Sequence, residues 1–345
     1  MLAESTTAPK ACPLPSRFPA LERMIGNTPL LWLEVAVDGV AYNLYIKCEW
    51  KNLTGSIKDR MALHILREGY RTGALQPGHR IIEATSGNTG ISFSALGRAL
   101  GHPVTIFMPE WMSRERIALI KSFGAEVRLV SKDEGGFLGS IAMAEAMAAG
   151  NAEVFLPRQF SNVANVEAHR CGTGRELCEQ MQQTGHKLDA FVAGVGTGGT
   201  IMGVGAALRE CTPGVRLHPL EPAESPTLST GCKVGQHRIQ GISDEFIPSI
   251  VQLQTLDVPV AISDADAIHM AQRLASEAGM GVGISSGANL LGALRIAMEH
   301  GPGSCVGTVF ADDSKKYLST DLTNEPTLKP GCLTPRVQLR SFEVI

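Results

Sequence analysis

The stretch DAFVAGVGTGGTIMGVGAALREC, residues 189–211, has the composition of an apolar strand, a glycine-rich turn and a helix. Its turn fits the pattern G-x-G-x-x-G with Gly194, Gly196 and Gly199. Such a turn presents backbone N–H groups at a helix start, where they can bind a phosphate. An acid, Glu221, ends the next predicted strand, about 20 residues on, where a dinucleotide-binding fold places one. The turn therefore leaves open a nicotinamide dinucleotide or a different phosphate.

Short apolar runs alternate with helical patterns along most of the chain. Continuous apolar strands separated by helices predict parallel sheets covered on both faces. The strands are too many for one small sheet, so we expect an α/β fold with two doubly wound domains and mostly parallel sheets. The tail after about Asp321 is expected to be irregular because it is rich in Pro and Thr. The predicted strands are 42–50, 80–85, 103–109, 125–131, 152–157, 189–195, 215–221 and 304–312.

The composition is that of a soluble globular protein. Of the 345 residues, 44% are hydrophobic and 19% are charged, and the net charge is −3. Neither a basic stripe nor an apolar run of membrane-spanning length is present, so nucleic acid and membrane are not expected partners. The first residues lack the order of a signal peptide and suggest a loose arm. None of the eight cysteines forms C-x-x-C, which predicts reduced thiols, a cytoplasmic location and no metal site.

Four loops rich in Gly, Ser, Thr and Asn each directly precede a predicted helix. Ligands of open α/β sheets bind at the carboxyl ends of the strands, where such loops converge. We therefore expect these loops to surround one ligand. They are NLTGSIKDR (52–60), ATSGNTG (84–90), GVGTGGT (194–200) and GISSGAN (283–289).

Lys58 is the candidate reactive residue of the first loop. Ser56 and Asp59 form an S-x-x-D pattern, which predicts a capping box and a helix start near Lys58. The positive end of a helix dipole favours a neutral amine, as a nucleophile, Schiff base or proton carrier requires. A solvated lysine in a first helical turn is the alternative.

The other three loops offer hydrogen-bond donors to anions. Ser86, Asn88 and Thr89 suit a carboxylate or phosphate, although an ordinary helix cap would use similar residues. Thr197 and Thr200 add hydroxyls to the glycine turn. In GISSGAN, Ser285 and Ser286 also fit a simple serine cap. Taken together, a lysine, an anion site and a phosphate site are the needs of a pyridoxal phosphate enzyme, whereas a dehydrogenase explains only GVGTGG.

Seven motifs in the same order resemble the cysteine synthase and cystathionine β-synthase family. These are pyridoxal phosphate enzymes of the tryptophan synthase β-subunit fold (fold type II). The motifs are IGNTPL (25–30), TGSIKDR (54–60), EATSGNTG (83–90), GTGGT (196–200), QGISDEFIP (240–248), GISSGA (283–288) and KYLST (316–320). The resemblance implies a homodimer with a flexible arm (1–23), a larger cofactor-phosphate-binding domain (24–50 plus 162–325), a smaller mobile substrate-binding domain (51–161) and a C-terminal tail (326–345).

The resemblance also implies a role for each site residue. Lys58 would hold the cofactor as an imine and then act as acid and base, Asn88 would bind the ring hydroxyl, and Ser285 would face the pyridine nitrogen. The phosphate would be bound by Gly196, Thr197, Gly198, Gly199 and Thr200. The substrate carboxylate would be bound by Thr85, Ser86, Thr89 and Gln159, and Gly241 would line the pocket wall.

The implied reaction is β-replacement through an aminoacrylate, in which an O-activated L-serine and sulfide give L-cysteine. The chain departs from the usual family pattern at Leu53, at Gly172 and Arg175, and in FADDSKKYLST (310–320), where Asp312 and Asp313 are expected near the cofactor ring. This last segment resembles a branch of L-cysteine desulfhydrases, which convert cysteine to sulfide, pyruvate and ammonia. Desulfhydration or replacement with another thiol is therefore the close alternative. An NAD-binding oxidoreductase and a catalytically silent relative are the remote ones.

Overall fold

The computed structural model describes residues 11–243, 245–325 and 328–345. Its strands are β1 (Leu30–Val37), β2 (Val40–Cys48), β3 (Arg80–Ala84), β4 (Val104–Pro109), β5 (Glu126–Val130), β6 (Val154–Phe155), β7 (Ala190–Gly194), β8 (Arg216–Pro222), β9 (Val260–Ile262), β10 (Cys305–Phe310) and β11 (Val337–Val344). Its α-helices are α1 (Phe18–Glu22), α2 (Lys58–Thr72), α3 (Asn88–Ala99), α4 (Arg114–Ser122), α5 (Gly136–Ala148), α6 (Val163–Ala168), α7 (Arg175–Thr184), α8 (Gly199–Cys211), α9 (Thr227–Thr230), α10 (Asp264–Ala278) and α11 (Ile284–His300). None of these helices is both long and apolar enough to span a membrane.

The larger sheet has seven strands in the order β11-β1-β2-β10-β7-β8-β9. The β2–β10–β7–β8–β9 pairings are parallel, and β1 is antiparallel to both β2 and β11. Every residue of β10 is buried, because α11 packs on one side of the sheet and α7 and α8 contribute to the apolar core on the other. This two-sided burial explains why these strands read as continuous apolar runs.

The smaller sheet has four parallel strands in the order β5-β4-β3-β6. Helices α3 and α5 pack against β3 and β4, and every residue of β4 is buried. All four strands come from residues 80–155. The predicted α/β class with two mostly parallel sheets is confirmed, while the sequence boundaries of the two domains stay predictions.

The C-terminal tail differs from its prediction. Instead of an irregular tail, residues 337–344 form β11, which pairs with β1 from Leu31↔Val344 to Val37↔Val337. Strands β1 and β9 were also not predicted. Pairing of β11 with β1 joins segments about 300 residues apart, so no local pattern reports it.

The predicted N-terminal arm is partly ordered. Helix α1 buries Phe18, whose ring meets the Tyr70 ring edge-on at 6.4 Å between centroids. The backbone N–H of Cys12 donates to the carbonyl of Tyr70 at 2.8 Å. Residues 11–23 are therefore packed against α2, and the first ten residues lie outside the described part of the chain.

The prediction that all cysteines are reduced is wrong for one pair. Cys178 of α7 and Cys211 of α8 form a disulfide with their Cα atoms 6.3 Å apart. The two helices pack side by side, which brings together cysteines separated by 33 residues. Sequence spacing alone could not show this contact.

A buried charge network lies beneath the start of α2. The guanidinium of Arg60 pairs with Glu49 at 2.6 Å and with Glu176 at 2.6 Å, and Lys47 pairs with Glu176 at 2.9 Å. Thr28, in the IGNTPL motif, donates its hydroxyl to Glu49. Burial raises the pKa of Glu176, but the hydrogen bond and charge of Arg60, followed by Lys47, outweigh burial and lower that pKa to about 2. The ionised carboxylate of Glu176 therefore stabilises the fold.

This network predicts a pH-dependent stability that E176Q removes. The folded pKa of Glu176 lies below its ordinary value of 4.5, so its contribution is complete above about pH 4.5 and is lost as the pH falls toward 2. The linked loss is on the order of 3 kcal/mol. In denaturant unfolding over this pH range, E176Q should be less stable near neutrality and show a flatter pH dependence than the wild type.

The matched control is E179Q, on the same helix, because among the described residues Glu179 pairs only with the exposed Arg175. E179Q should follow the wild-type curve. Parallel curves for E176Q and the wild type would show that Glu176 does not carry this pH dependence.

Candidate functional site

One cleft lies where the loops after β2, β3, β7 and β10 converge. Twelve of the thirteen predicted site residues line it, and Gly199 lies directly behind as the first residue of α8. The twelve are Lys58, Thr85, Ser86, Asn88, Thr89, Gln159, Gly196, Thr197, Gly198, Thr200, Gly241 and Ser285. The sequence thus predicted which loops meet, and the individual roles of their residues stay predictions.

Lys58 is the first residue of α2 and faces the cleft. The preceding residue, Ile57, is buried and donates its backbone N–H to the carbonyl of Ala311, just after β10, at 2.8 Å. Ser56 and Asp312 form an antiparallel bridge one residue further out. The backbone that carries Lys58 is therefore held against the end of β10.

The predicted capping box between Ser56 and Asp59 is wrong, because the Asp59 carboxylate bonds to Thr54 and not to Ser56. Asp59 is buried and accepts from the backbone N–H of Thr54 at 2.7 Å, from its hydroxyl at 2.6 Å and from Ser92 at 2.6 Å. The buried Ser56 hydroxyl has no partner among the described residues. Thr54 therefore makes the contacts with Asp59 that were predicted for Ser56. Ser56 is instead part of the bridge to Asp312.

The glycine turn after β7 is shaped by close backbone contacts. A Cβ atom on Gly196 would lie 2.3 Å from the carbonyl oxygen of Gly241, so no larger residue fits without moving backbone. Asn165 donates to the Thr197 hydroxyl at 2.9 Å, and the Gly194 N–H donates to Asn289 at 2.8 Å. Sequence reasoning missed both asparagines, because each acts through a contact that is distant in the chain.

The loop after β3 is tied to Gln159. Thr89 donates its hydroxyl to the Gln159 side-chain oxygen at 2.6 Å, and Gln159 donates to the carbonyl of Ala84 at 2.9 Å. Behind them lies Glu83, which accepts from the N–H groups of Ala84 and Gln159. Burial raises the pKa of Glu83 to about 7, and those two hydrogen bonds offset only part of this effect. A carboxyl group whose charge is disfavoured by burial thus lies behind the neutral side chains of Thr89 and Gln159.

Asp312 joins the two sheets at the cleft. Its Oδ2 atom accepts from Asn88 Nδ2 at 2.7 Å and from the hydroxyl of Tyr317. Burial, followed by the charge of Asp312, raises the pKa of the Tyr317 hydroxyl, which stays protonated. The expectation that Asp312 lies near the cofactor ring stays a prediction, and its link to Asn88 was not foreseen.

The residues present fit pyridoxal phosphate. The glycine turn at the start of α8 leaves room and N–H donors for a phosphate. The buried Oδ1 atom of Asn88, which lines the cleft, has no partner in the described part of the chain, as expected of a group that faces a polar ring. Lys58 and Ser285 lie on the same cleft. One site thus offers an amine, a phosphate cradle and polar contacts for a ring.

Glu221 has a different use from the one that a dinucleotide fold would give it. It accepts from the backbone N–H of Leu228 at 2.7 Å and from the N–H and hydroxyl of Ser229. The carboxylate thus binds the start of the short helix α9 and is 1% exposed. It is not available to a ribose, so the structure does not support the NAD alternative.

The glycine turn predicts that G196A loses cofactor affinity. The added methyl would overlap the carbonyl of Gly241 and displace one wall of the phosphate cradle. We expect affinity for pyridoxal phosphate to fall by about tenfold or more, measured by titrating the apoprotein and following the visible absorbance of the bound cofactor. The control is G205A in α8, whose methyl would meet only the flexible Leu217 side chain. Equal affinity in G196A and G205A would refute the cradle.

Comparisons with known proteins agree with this reading of the site. Residues 21–312 match the family described as "Pyridoxal-phosphate dependent enzyme". A probable cysteine synthase of Bacillus subtilis (strain 168) is 43% identical over 299 residues, covering 87% of this chain and 96% of that protein. The cysteine synthase of Staphylococcus aureus (strain Mu50 / ATCC 700699) is 40% identical over 302 residues, covering 88% and 96%.

Solved structures show the same similarity. A hydrogen sulfide-producing enzyme of Fusobacterium nucleatum is 52% identical, with a TM-score of 0.93 over 95% of this chain and 98% of that one. A cysteine synthase of Entamoeba histolytica is 34% identical, with a TM-score of 0.81 over 92% and 93%. With a family match over most of its length and relatives above 40% identity, the chain is a member of the pyridoxal phosphate-dependent enzyme family, in its cysteine synthase-like group.

Proposed function

We propose that this chain is a pyridoxal phosphate-dependent β-replacement enzyme of the cysteine synthase type, which converts an O-activated L-serine and sulfide to L-cysteine. The observation that carries the proposal is the convergence of Lys58, the Thr85–Thr89 loop and the Gly196–Thr200 turn on one cleft. The chain aligns with 96% of the length of each of two relatives, one named a probable cysteine synthase and the other a cysteine synthase.

The cofactor, when bound, supplies an electron sink that allows a bond at the substrate Cβ atom to break and re-form. The chain supplies the proton transfers and the binding. Lys58 Nζ takes and returns the substrate proton, which its place at the start of α2 favours by stabilising the neutral amine. Thr85, Ser86, Thr89 and Gln159 bind the substrate carboxylate with neutral donors. Ser285, which lines the cleft, would face the pyridine nitrogen without forcing its protonation.

Water exclusion is the remaining requirement of this chemistry, because a reactive intermediate must meet sulfide before it meets water. Apolar and aromatic side chains form part of the cleft wall for this purpose, namely Ile57, Phe160, Ile242, Val309 and Tyr317. Ile57 and Tyr317 are almost fully buried, so this part of the wall is in place without ligand.

Sulfide release from L-cysteine is a second candidate, and a specific observation favours it. The hydrogen sulfide-producing enzyme of Fusobacterium nucleatum is more similar to this chain (52%) than the cysteine synthases of Bacillus subtilis and Staphylococcus aureus (43% and 40%). The segment 310–320 departs from the usual synthase pattern. Its Tyr317 lines the cleft, and its Asp312 accepts a hydrogen bond that positions Asn88. This activity would use the same lysine and cofactor, with cysteine as the amino acid.

The homodimer that the family resemblance implies and the cytoplasmic location that the cysteine pattern predicts stay predictions. Light scattering on the purified holoenzyme tests the first, and cell fractionation tests the second.

The disulfide between Cys178 and Cys211 can be tested by thiol counting with and without reductant, which shows whether it is formed in the purified protein.

The direction of the reaction is tested by measuring two rates on one preparation. We expect cysteine formation from O-acetylserine and sulfide to exceed sulfide release from cysteine at equal amino acid concentrations. Detection of pyruvate and ammonia in the second assay separates desulfhydration from exchange with another thiol. Faster sulfide release than cysteine formation would replace the leading proposal with the second candidate.

Lys58 is expected to be essential in either direction. K58A should reduce turnover by about 10³-fold or more, since it removes the group that moves the proton. Borohydride reduction of the wild-type holoenzyme followed by peptide mapping should label Lys58 and abolish the visible absorbance. The control is K121A, because Lys121 is exposed in the last turn of α4. Full activity in K58A, or a label on another lysine, would contradict the assignment.

A further inference from the structure

Arg116 is a buried cation of the cleft to which neither the sequence nor the proposed reaction gives a role. It is the third residue of α4, is 2% exposed and lines the same cleft as Lys58. Its contacts within the described ranges are to a carbonyl, a thioether and an aromatic ring, and none is an ion pair with a carboxylate. Arginine does not release its proton in proteins, so this site carries a positive charge.

The contacts of Arg116 hold its head group in one orientation. Nη1 donates to the carbonyl of Ser86 at 3.1 Å and lies 3.9 Å from the sulfur of Met112. The guanidinium lies over the Tyr317 ring, 4.5 Å from its centroid. The buried Nε atom has no hydrogen-bond partner in the described part of the chain.

The loop after β3 is shaped to accept Arg116. A Cβ atom on Gly87 would lie 2.4 Å from Cδ and 2.7 Å from Nε of Arg116. The absence of a side chain at Gly87 therefore lets the arginine pass along the loop and reach the cleft. A buried cation without a carboxylate partner is costly, and an anionic ligand in the cleft would offset that cost.

We propose that Arg116 forms an anion subsite of the cleft that binds hydrosulfide. The proposal rests on the proposed function, and it holds for either direction, because the same anion enters in synthesis and leaves in release. The buried donor Nε lies beside Gly87, where a single added carbon would come within 2.7 Å of it, and this narrow space suits a small anion better than a carboxylate or phosphate. The sulfur of Met112 and the Tyr317 ring make the surroundings polarizable and poorly hydrated, which suits a sulfur anion.

The substrate carboxylate is the competing ligand for Arg116. Its predicted donors are Thr85, Ser86, Thr89 and Gln159, and two of them, Thr89 and Gln159, are bonded to each other. Arg116 approaches the same loop from the Gly87 side and donates to the carbonyl of Ser86. We assign the carboxylate to the neutral donors and hydrosulfide to the cation. Kinetics with the two substrates distinguish these assignments.

A bromide soak tests the subsite without turnover. Bromide is a monovalent, polarizable anion that does not react with the cofactor, and its anomalous scattering locates it in crystals of the holoenzyme. We expect a bromide peak within hydrogen-bond distance of Arg116 Nε in the wild type and none there in R116Q. Absence of the wild-type peak would overturn the proposal. If the wild type makes no cysteine and releases no sulfide, the proposed function fails while the bromide result still decides the subsite.

Steady-state kinetics test the identity of the ligand. R116Q should raise the KM for sulfide by about tenfold or more and leave the KM for O-acetylserine within about twofold. R116K keeps the charge and should recover part of the lost affinity for sulfide. This recovery, together with a normal cofactor absorbance of R116Q, would show that R116Q is correctly folded. R114Q is the matched control, because Arg114 is exposed two residues away. A rise in the KM for O-acetylserine alone, or unchanged values for both substrates, would overturn the proposal.

Discussion

The position of Lys58 depends on a buried charge network centred two residues away at Arg60. Arg60 lies between Glu49, which follows β2, and Glu176, at the start of α7, and these three residues fix the first turn of α2 against the larger sheet. Removal of one partner of such a buried network leaves an uncompensated charge and costs about 3–5 kcal/mol. The IGNTPL motif belongs to the same arrangement, because Thr28 contacts both Glu49 and Arg60. Motifs far apart in the chain thus serve one structural purpose, which is to hold Lys58.

The segment 310–320 has a comparable importance on the other side of the site. Lys316 is buried and donates to the carbonyl of Gly55 at 2.6 Å, while Asp312 accepts from Asn88. The loop that carries Lys58 and the loop that begins α3 are therefore both attached to residues that follow β10. This segment departs from the usual synthase pattern, so the difference in sequence falls on groups that position Asn88 and the loop that carries Lys58.

Local patterns predicted the loops of the site well, and contacts between distant segments escaped them. The glycine turn, the Thr85–Thr89 loop and Lys58 each carry a recognisable loop-to-helix signal, and all line the cleft. Asn165, Asn289 and Arg116 carry no such signal, because their roles depend on which elements pack together. The capping prediction at Ser56 shows the limit of a local rule, since a tertiary bridge to Asp312 draws that serine away from Asp59. The strand β11 and the disulfide were missed for the same reason.

The pairing of β11 with β1 has a consequence for synthesis on the ribosome. The smaller sheet is built from residues 80–155 and is complete in sequence long before translation ends. The larger sheet needs β10 beside β2 and β11 beside β1, and the backbone N–H of Ile345 donates to the carbonyl of Leu30. The outer edge of β1 therefore stays unpaired until residues 337–344 have emerged from the ribosome. A nascent chain would expose that edge while about 300 further residues are being synthesised.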